Sequence, residues 1–328
     1  MTTWNTDGRR GLRAKVGPAL GDGVRSAGRR VVRGLAMATA DARPLPEVVV
    51  VGVKRGGTTS LFRDLERHPS MLPLVPSAAR LPLRENQKGV HYFDTAAHRS
   101  DRWYRSHFAA RPTRALRRRS TGAAFTAEAS PYYFFQPTAA RRVASSLPDA
   151  TFVVLLRDPV ERTISHWAEQ TRNGTETLGL ADALDAEDAR VGDAAHRLRT
   201  GDLDVSFAHE QQSYAAQSEY ADSLQRWFDA AGPGRVLVDF SETYYADPTR
   251  VLDRITDRLG VERIGRDVGE HRNAASRPST VDPSIEARLV ERFSPDVARV
   301  AELLGVTPPW PRFGGTDPSV SAGSSVDR

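Results

Sequence analysis

Two short stretches carry cations and hydroxyls at spacings that suit an anion. The first, EVVVVGVKRGGTTSLFRDLERHP (Glu47 to Pro69), joins an apolar run through a glycine turn to a helix-like pattern. A triphosphate-binding loop reads G-x-x-x-x-G-K-[ST], with its lysine after the second glycine. Gly52 and Gly57 keep that spacing, but Thr58 and Thr59 follow them and the lysine, Lys54, comes early. A strand, a tight turn through Gly56 and Gly57, and a helix starting at Thr58 form a cradle. In it, backbone N–H groups and the helix dipole converge on negative oxygens. An ordinary βα turn is the plainer reading of the same glycines.

The second stretch, VVLLRDPVERTISHW (Val153 to Trp167), ends an apolar run in Arg157. A triphosphate hydrolase would commonly end a neighbouring strand in an acid that helps to hold magnesium. A cation at the carboxyl end of an α/β strand, where ligands of such folds bind, suits an anionic group directly. Ser165 lies about two helical turns into the next helix and can donate to the same anion. A structural ion pair of Arg157 with Asp158 or Glu161 is the alternative.

Composition sharpens the place of Lys54. The chain has 328 residues and a net charge of +5, with lysine only at positions 15, 54 and 88. Where arginine is the default cation, a lysine inside a glycine turn invites a specific explanation, because ammonium and guanidinium are not interchangeable. An arginine bias of this kind is weak evidence for a nucleic-acid partner, and none is expected. With no cysteine, disulfides and thiolate metal sites are excluded, which fits a reducing compartment. No apolar run approaches the roughly 20 residues that span a bilayer, and no compact apolar core near the N-terminus suits a secretory signal. The expected location is cytoplasmic.

The elements that must position these residues alternate. Val48 to Val51 leads to a helix with Leu61, Phe62 and Leu65 on one face. Ala123 to Ser130 precedes a helix around Ala139 to Leu147, and Thr151 to Pro159 precedes one with Val160, Ile164 and Trp167 at core spacing. A helix with Tyr220, Leu224 and Trp227 leads to the strand Arg235 to Phe240. Asp247-Pro248 then opens a helix with Val251, Ile255 and Leu259, stopping near Gly260. Continuous apolar strands alternating with helices predict an α/β domain around a mostly parallel sheet. Residues 1–46 read as a basic, flexible extension, with a short amphipathic helix around Arg25 to Ala40 as a candidate peripheral membrane contact. Residues 47–313 form the predicted domain, and 314–328 read as a disordered tail. The run RPTRALRRRS (Arg111 to Ser120) reads as a solvated loop rather than a nucleic-acid surface, because no aromatic is interleaved for base stacking.

Together the two stretches resemble the sulfotransferases that use 3′-phosphoadenosine 5′-phosphosulfate (PAPS), particularly the heparan-sulfate type and its bacterial relatives. Weaker matches in the same order are KGVHYFD (Lys88 to Asp94), AEASPYYF (Ala127 to Phe134), SEYADSLQRWF (Ser218 to Phe228) and RVLVDFSETYYADP (Arg235 to Pro248). The resemblance implies a P-loop-like three-layer fold and transfer of a sulfuryl group from PAPS to a hydroxyl or amine, with carbohydrate or glycolipid as acceptor and no metal. Carried over, Lys54 contacts the leaving phosphate and the sulfuryl group. Arg55, Gly56, Gly57, Thr58, Thr59 and Ser60 surround the 5′-phosphosulfate, and Arg157 and Ser165 hold the 3′-phosphate. The family's loop over the nucleotide matches His271 to Pro283 without its usual Lys-Gly pair, leaving Arg277 or Arg272 to serve.

The group's proton-accepting glutamate falls on Gly89, a departure from the pattern. His91 is the first candidate to replace it, since on an extended strand it would face the same side as Gly89. Glu128 is second, as the base or as a residue that orients His91, and Glu85 third. Lys88 is a candidate contact to the sulfate or to an acidic acceptor. The missing glutamate keeps a catalytically inactive nucleotide- or glycan-binding module as an alternative. A nucleotide kinase with a variant P-loop is another.

Overall fold

In the computed structural model, which describes residues 31–75, 88–264 and 281–316, the apolar run after Glu47 is strand β1 (Val48–Gly52), buried along its length. The other strands are β2 (Met71–Leu72), β3 (Phe125–Ala129), β4 (Thr151–Leu156) and β5 (Val236–Phe240). They form one sheet in the order β2-β3-β1-β4-β5 with every pair parallel. The predicted α/β class is observed. β1 lies at the centre, with Val49 opposite Glu128 of β3 on one side and Phe152 of β4 on the other.

Helix α1 (Thr58–Glu66) follows β1 and buries Leu61, Phe62 and Leu65. Full burial of each such side chain is worth about 1.5–3 kcal/mol. The chain then passes through β2 and α2 (Arg111–Thr121) to β3, returns past β1 through α3 (Ala139–Ser146) to β4, and enters α4 (Pro159–Arg172). Asp158 starts α4 by accepting from Val160 N at 2.9 Å and Glu161 N at 3.1 Å, with Pro159 in the first turn. After α5 (Ala221–Ala231) and β5 come α6 (Pro248–Leu259) and α7 (Pro283–Leu304). Right-handed crossovers that leave β1 in one direction and β3 in the other place α1 and α3 on opposite faces. Consistently, α1 packs on α6, while α3, α5 and α7 pack in series.

Three features differ from the sequence reading. The basic run expected as a loop is helix α2, ended by Gly122 in the left-handed region. Arginine is a good helix former, so its density is no loop signal. Arg114 of α2 is buried in an ion pair with Glu47 at the foot of β1. Helix α7 went unread because Pro295 interrupts its pattern, although Leu289, Phe293, Val297 and Val300 are buried along it. Residues 31–46, assigned by sequence to the extension, pack onto the body. Ala36 and Ala40 are buried, and Arg33 donates to Ser106 Oγ at 2.9 Å and to Val75 O at 2.7 Å. Val31 and Leu35 of the helix over 31–38 face outward. Among the described residues no helix is long and apolar enough to cross a membrane.

Candidate functional site

The glycine turn leaves the carboxyl end of β1 where crossovers depart in opposite directions, the usual ligand position in such sheets. Gly57 has φ 86 and precedes α1; a Cβ there would lie 2.8 Å from the Tyr245 hydroxyl. Having no side chain, it supplies no capping oxygen to the first-turn amides of α1. Three successive loop carbonyls are held by donors from the body. Arg162 reaches Lys54 O at 3.5 Å, Arg157 reaches Arg55 O at 3.1 Å and Ser241 reaches Gly56 O at 2.7 Å. Arg162 is fully buried and also donates to Ser218 Oγ at 2.5 Å and to Tyr214 O.

Arg157 follows β4 directly. Its alternative as a plain ion-pair partner is weakly met, because its guanidinium is 3.9 Å from Glu161 while Arg312 takes both Asp158 and Glu161 at 3.1 and 3.0 Å. Arg55, with φ 68, donates through Nε to Ser165 Oγ at 3.0 Å and ion-pairs with Glu169. Arg55, Arg157 and Ser165 thus converge from β1, β4 and α4. Lys88 joins them from another segment by donating to Thr59 Oγ1 at 2.5 Å. Burial, reinforced by Arg55, Arg63 and Lys54 against the pull of Glu169, brings the Lys88 pKa down to about 8.

Lys54 is held by a different set of partners. Its Nζ is 5.1 Å from the Tyr132 ring centre and bonds to Glu210 and Gln211. Burial lowers the Lys54 pKa, and Glu210 opposes that shift.

At Gly89 a Cβ would lie 2.6 Å from Ala129 O, 2.9 Å from Ser130 Oγ and 3.0 Å from His91 Nε2. No side chain fits, and the imidazole of His91 fills the adjoining space. The extended strand expected through His91 is absent. His91 takes φ 56, and this turn brings the ring back toward Gly89. Its Nδ1 is 3.0 Å from Asp94 Oδ2, so Nε2 is the free nitrogen of that pair. Burial would lower the His91 pKa, but the Asp94 hydrogen bond and charge, with Glu128 and Glu210, leave it raised.

Glu128 is fully buried and both its oxygens are engaged. Oε1 accepts from Tyr104 at 2.7 Å, and Oε2 accepts from Val90 N and Ser130 Oγ, each at 2.9 Å. Ser130 Oγ in turn accepts from His91 N at 3.0 Å. Glu128 therefore holds the His91 backbone and offers no free oxygen to a substrate. Burial raises its pKa despite those three hydrogen bonds.

Arg277, Arg272 and Glu85 lie outside the described residues. Sequence reasoning missed Asp94, whose signal was its place three residues after His91, and Glu210 and Gln211, for which there was none. The segment from Ala168 to Ser218 is largely helical. It holds the end of α4, helices Leu180–Asp185, Glu187–Val191 and Ala194–Thr200, and a π-helical turn at Ala208–Gln212.

Residues 46–264 match the profile of the sulfotransferase family. The chain is similar to heparan sulfate glucosamine 3-O-sulfotransferase 6 of Homo sapiens, with 30% identity over 71% of this chain and 57% of that protein. It is also similar to heparan sulfate glucosamine 3-O-sulfotransferase 3B1 of Mus musculus, with 29% identity over 69% and 48%. The chain spans about half the length of the curated relatives it matches. A solved sulfotransferase from Alicyclobacillus acidocaldarius superposes with a TM-score of 0.55 and 25% identity, covering 80% of this chain and 97% of that one.

Proposed function

The chain belongs to the sulfotransferase family, and we propose that it moves a sulfuryl group from PAPS to a hydroxyl or amine of a carbohydrate acceptor. The observation that carries this reading is the convergence of Arg55, Arg157 and Ser165 beside the amides of α1. Guanidinium groups bind phosphate oxygens in charge-assisted pairs, and a helix start adds oriented N–H groups. These residues fit the two ends of a 3′,5′-substituted nucleotide, with Arg157 and Ser165 on the 3′-phosphate. Arg55, Gly56, Gly57, Thr58, Thr59 and Ser60 surround the 5′-phosphosulfate, and Lys88 adds charge through its position at Thr59. A kinase reading gains nothing from β4, which runs into a cation where an acid would hold magnesium.

In the transfer, the acceptor oxygen or nitrogen forms a bond to sulfur while the bond from sulfur to the 5′-phosphate oxygen breaks. Lys54 neutralises the charge that develops on the leaving phosphate. His91, oriented by Asp94 through Nδ1, receives the acceptor proton at Nε2. Glu128 and Ser130 hold the backbone that presents it. The heparan sulfate acceptors named for the relatives support a carbohydrate.

Incubation with radiolabelled PAPS and a panel of heparan sulfate, desulfated heparan sulfate and glycolipids tests the reading. Label should enter at least one acceptor, and Lys54→Ala should abolish the transfer. Full transfer by that variant would sink the mechanism, and magnesium-dependent ATP turnover without PAPS use would sink the function.

A further inference from the structure

Lys54 has a resident anion. Its Nζ donates to Glu210 Oε1 at 3.0 Å, to the Glu210 carbonyl at 3.0 Å and to Gln211 Oε1 at 3.1 Å. These three acceptors account for the three donors of an ammonium. The side chains of Lys54 and Glu210 are only 13% and 16% exposed, so solvent screens the pair little.

The turn that delivers these acceptors is firmly held. His209 is buried, with Nδ1 2.7 Å from the Tyr132 hydroxyl and its ring stacked on Phe135. Gln217 donates to the carbonyls of His209 and Glu210 at 3.2 and 2.9 Å, and Gln170 donates to Gln211 Oε1 at 3.1 Å. The carbonyl and Gln211 are therefore fixed by their surroundings. The Glu210 carboxylate differs, since it ends a rotatable side chain and Lys54 is its one hydrogen-bond donor among the described residues. Glu210 also lines a small cavity with Asp94, Tyr132, Gln136, Asp204 and Ser206.

We propose that Glu210 is a positioning residue for Lys54 and the internal competitor of the nucleotide donor. In the free protein its carboxylate takes the place at Nζ that an anionic oxygen of the donor occupies on binding, and the donor displaces it from the ammonium. The inference rests on the PAPS reading above. Two desolvated anions on one ammonium repel each other, so the contact with Glu210 and the contact with the nucleotide alternate. At rest, Glu210 keeps the buried ammonium charged and directed over Tyr132. The cost is donor affinity.

The probe is adenosine 3′,5′-bisphosphate (PAP), titrated by calorimetry into the wild-type protein, Glu210→Gln and Glu210→Asp. The glutamine keeps shape and a hydrogen-bond acceptor but removes the charge. It should bind PAP about tenfold more tightly, the scale of one charge-assisted hydrogen bond. Glu210→Asp, which keeps the charge, should stay within about twofold of wild type, the range that one altered geometry spans.

A second readout needs no ligand. The chain has lysine only at 15, 54 and 88, so amine acylation mapped by mass spectrometry reports Lys54 against Lys88. Glu210→Gln should speed acylation of Lys54 relative to Lys88, and PAP should protect it. Equal or weaker PAP binding by Glu210→Gln, with Lys54 acylated at the wild-type rate, overturns the inference. If PAP binds neither wild type nor variant, the donor reading falls and the inference falls with it.

Discussion

Arg55 Nε donates to Ser165 Oγ at 3.0 Å, joining the glycine turn to a helix 110 residues further along the chain. Ser165 thus has two tasks under the proposed function, one toward a 3′-phosphate and one toward Arg55. Arg157→Ala should weaken PAP binding by about 10- to 100-fold, the usual range for a hydrogen bond to a charged group. Ser165→Ala should cost about tenfold, and its effect should be less than additive with Arg55→Ala because the two share a contact. Calorimetry on folded variants checks both; additive losses would show that the Arg55–Ser165 contact carries no coupling.

Restoring the family's glutamate at position 89 should fail. A Cβ would press on Ala129 O at 2.6 Å, and that atom is backbone rather than a movable side-chain end. Gly89→Ala and Gly89→Glu should each lose about 1–3 kcal/mol, the range for overpacking a filled site. Urea denaturation measures this, and wild-type stability in Gly89→Glu would contradict the packing.

The His91–Asp94 pair sets a pH dependence. The imidazole must be neutral to accept a proton, and its pKa stands raised above 6.5. Transfer should therefore fall as pH drops through that raised value, and Asp94→Asn should move the limb to lower pH. The stability contribution runs the other way. It is fully present below the unfolded pKa of about 6.5 and is lost as pH rises through the folded pKa. A pH–rate profile and an NMR titration of His91 check the two effects, and an unmoved limb in Asp94→Asn would remove His91 from the reaction.

Three other histidines act in the opposite sense. Burial lowers His107 to about 3, with Arg33 adding to the effect, and His209 to about 4, with Arg226, Arg199 and Lys54 adding to it. His166 falls well below 6.5, again through burial and then Arg162, Lys54 and Arg55. Both His166 ring nitrogens are buried without a hydrogen-bond partner. The unfolded chain binds these protons below pH 6.5 while the fold does not. Stability should fall by about 1.4 kcal/mol per pH unit per histidine until the folded pKa is reached. Urea denaturation at pH 7 and pH 5 measures the loss, and His166→Phe should reduce it. An unchanged pH dependence in that variant would show His166 to be protonated in the fold.

Much of the fold is legible along the chain because its causes are local. Four successive valines ahead of a glycine turn favour a strand buried on both faces, and Asp158-Pro159 and Asp247-Pro248 are local helix starts. Gly52 and Gly57 mark a tight turn after β1 by spacing, and Arg157 marks a strand end. Helix α7 was hidden because Pro295 contradicts its local pattern, and the burial of four apolar residues overrides that one breaker.

What the sequence determined by itself was the alternation of the main strands with their helices, the glycine turn after β1 and the cations that follow β1 and β4. Those properties depend on residues a few positions apart. The tertiary structure decided that Gly89 has no room for a side chain, that a turn aims His91 at that space, and that Glu128 is spent on holding it. It alone decided that Lys54 meets Glu210, 156 residues away. The chain topology sets such meetings, and no spacing rule reaches that far.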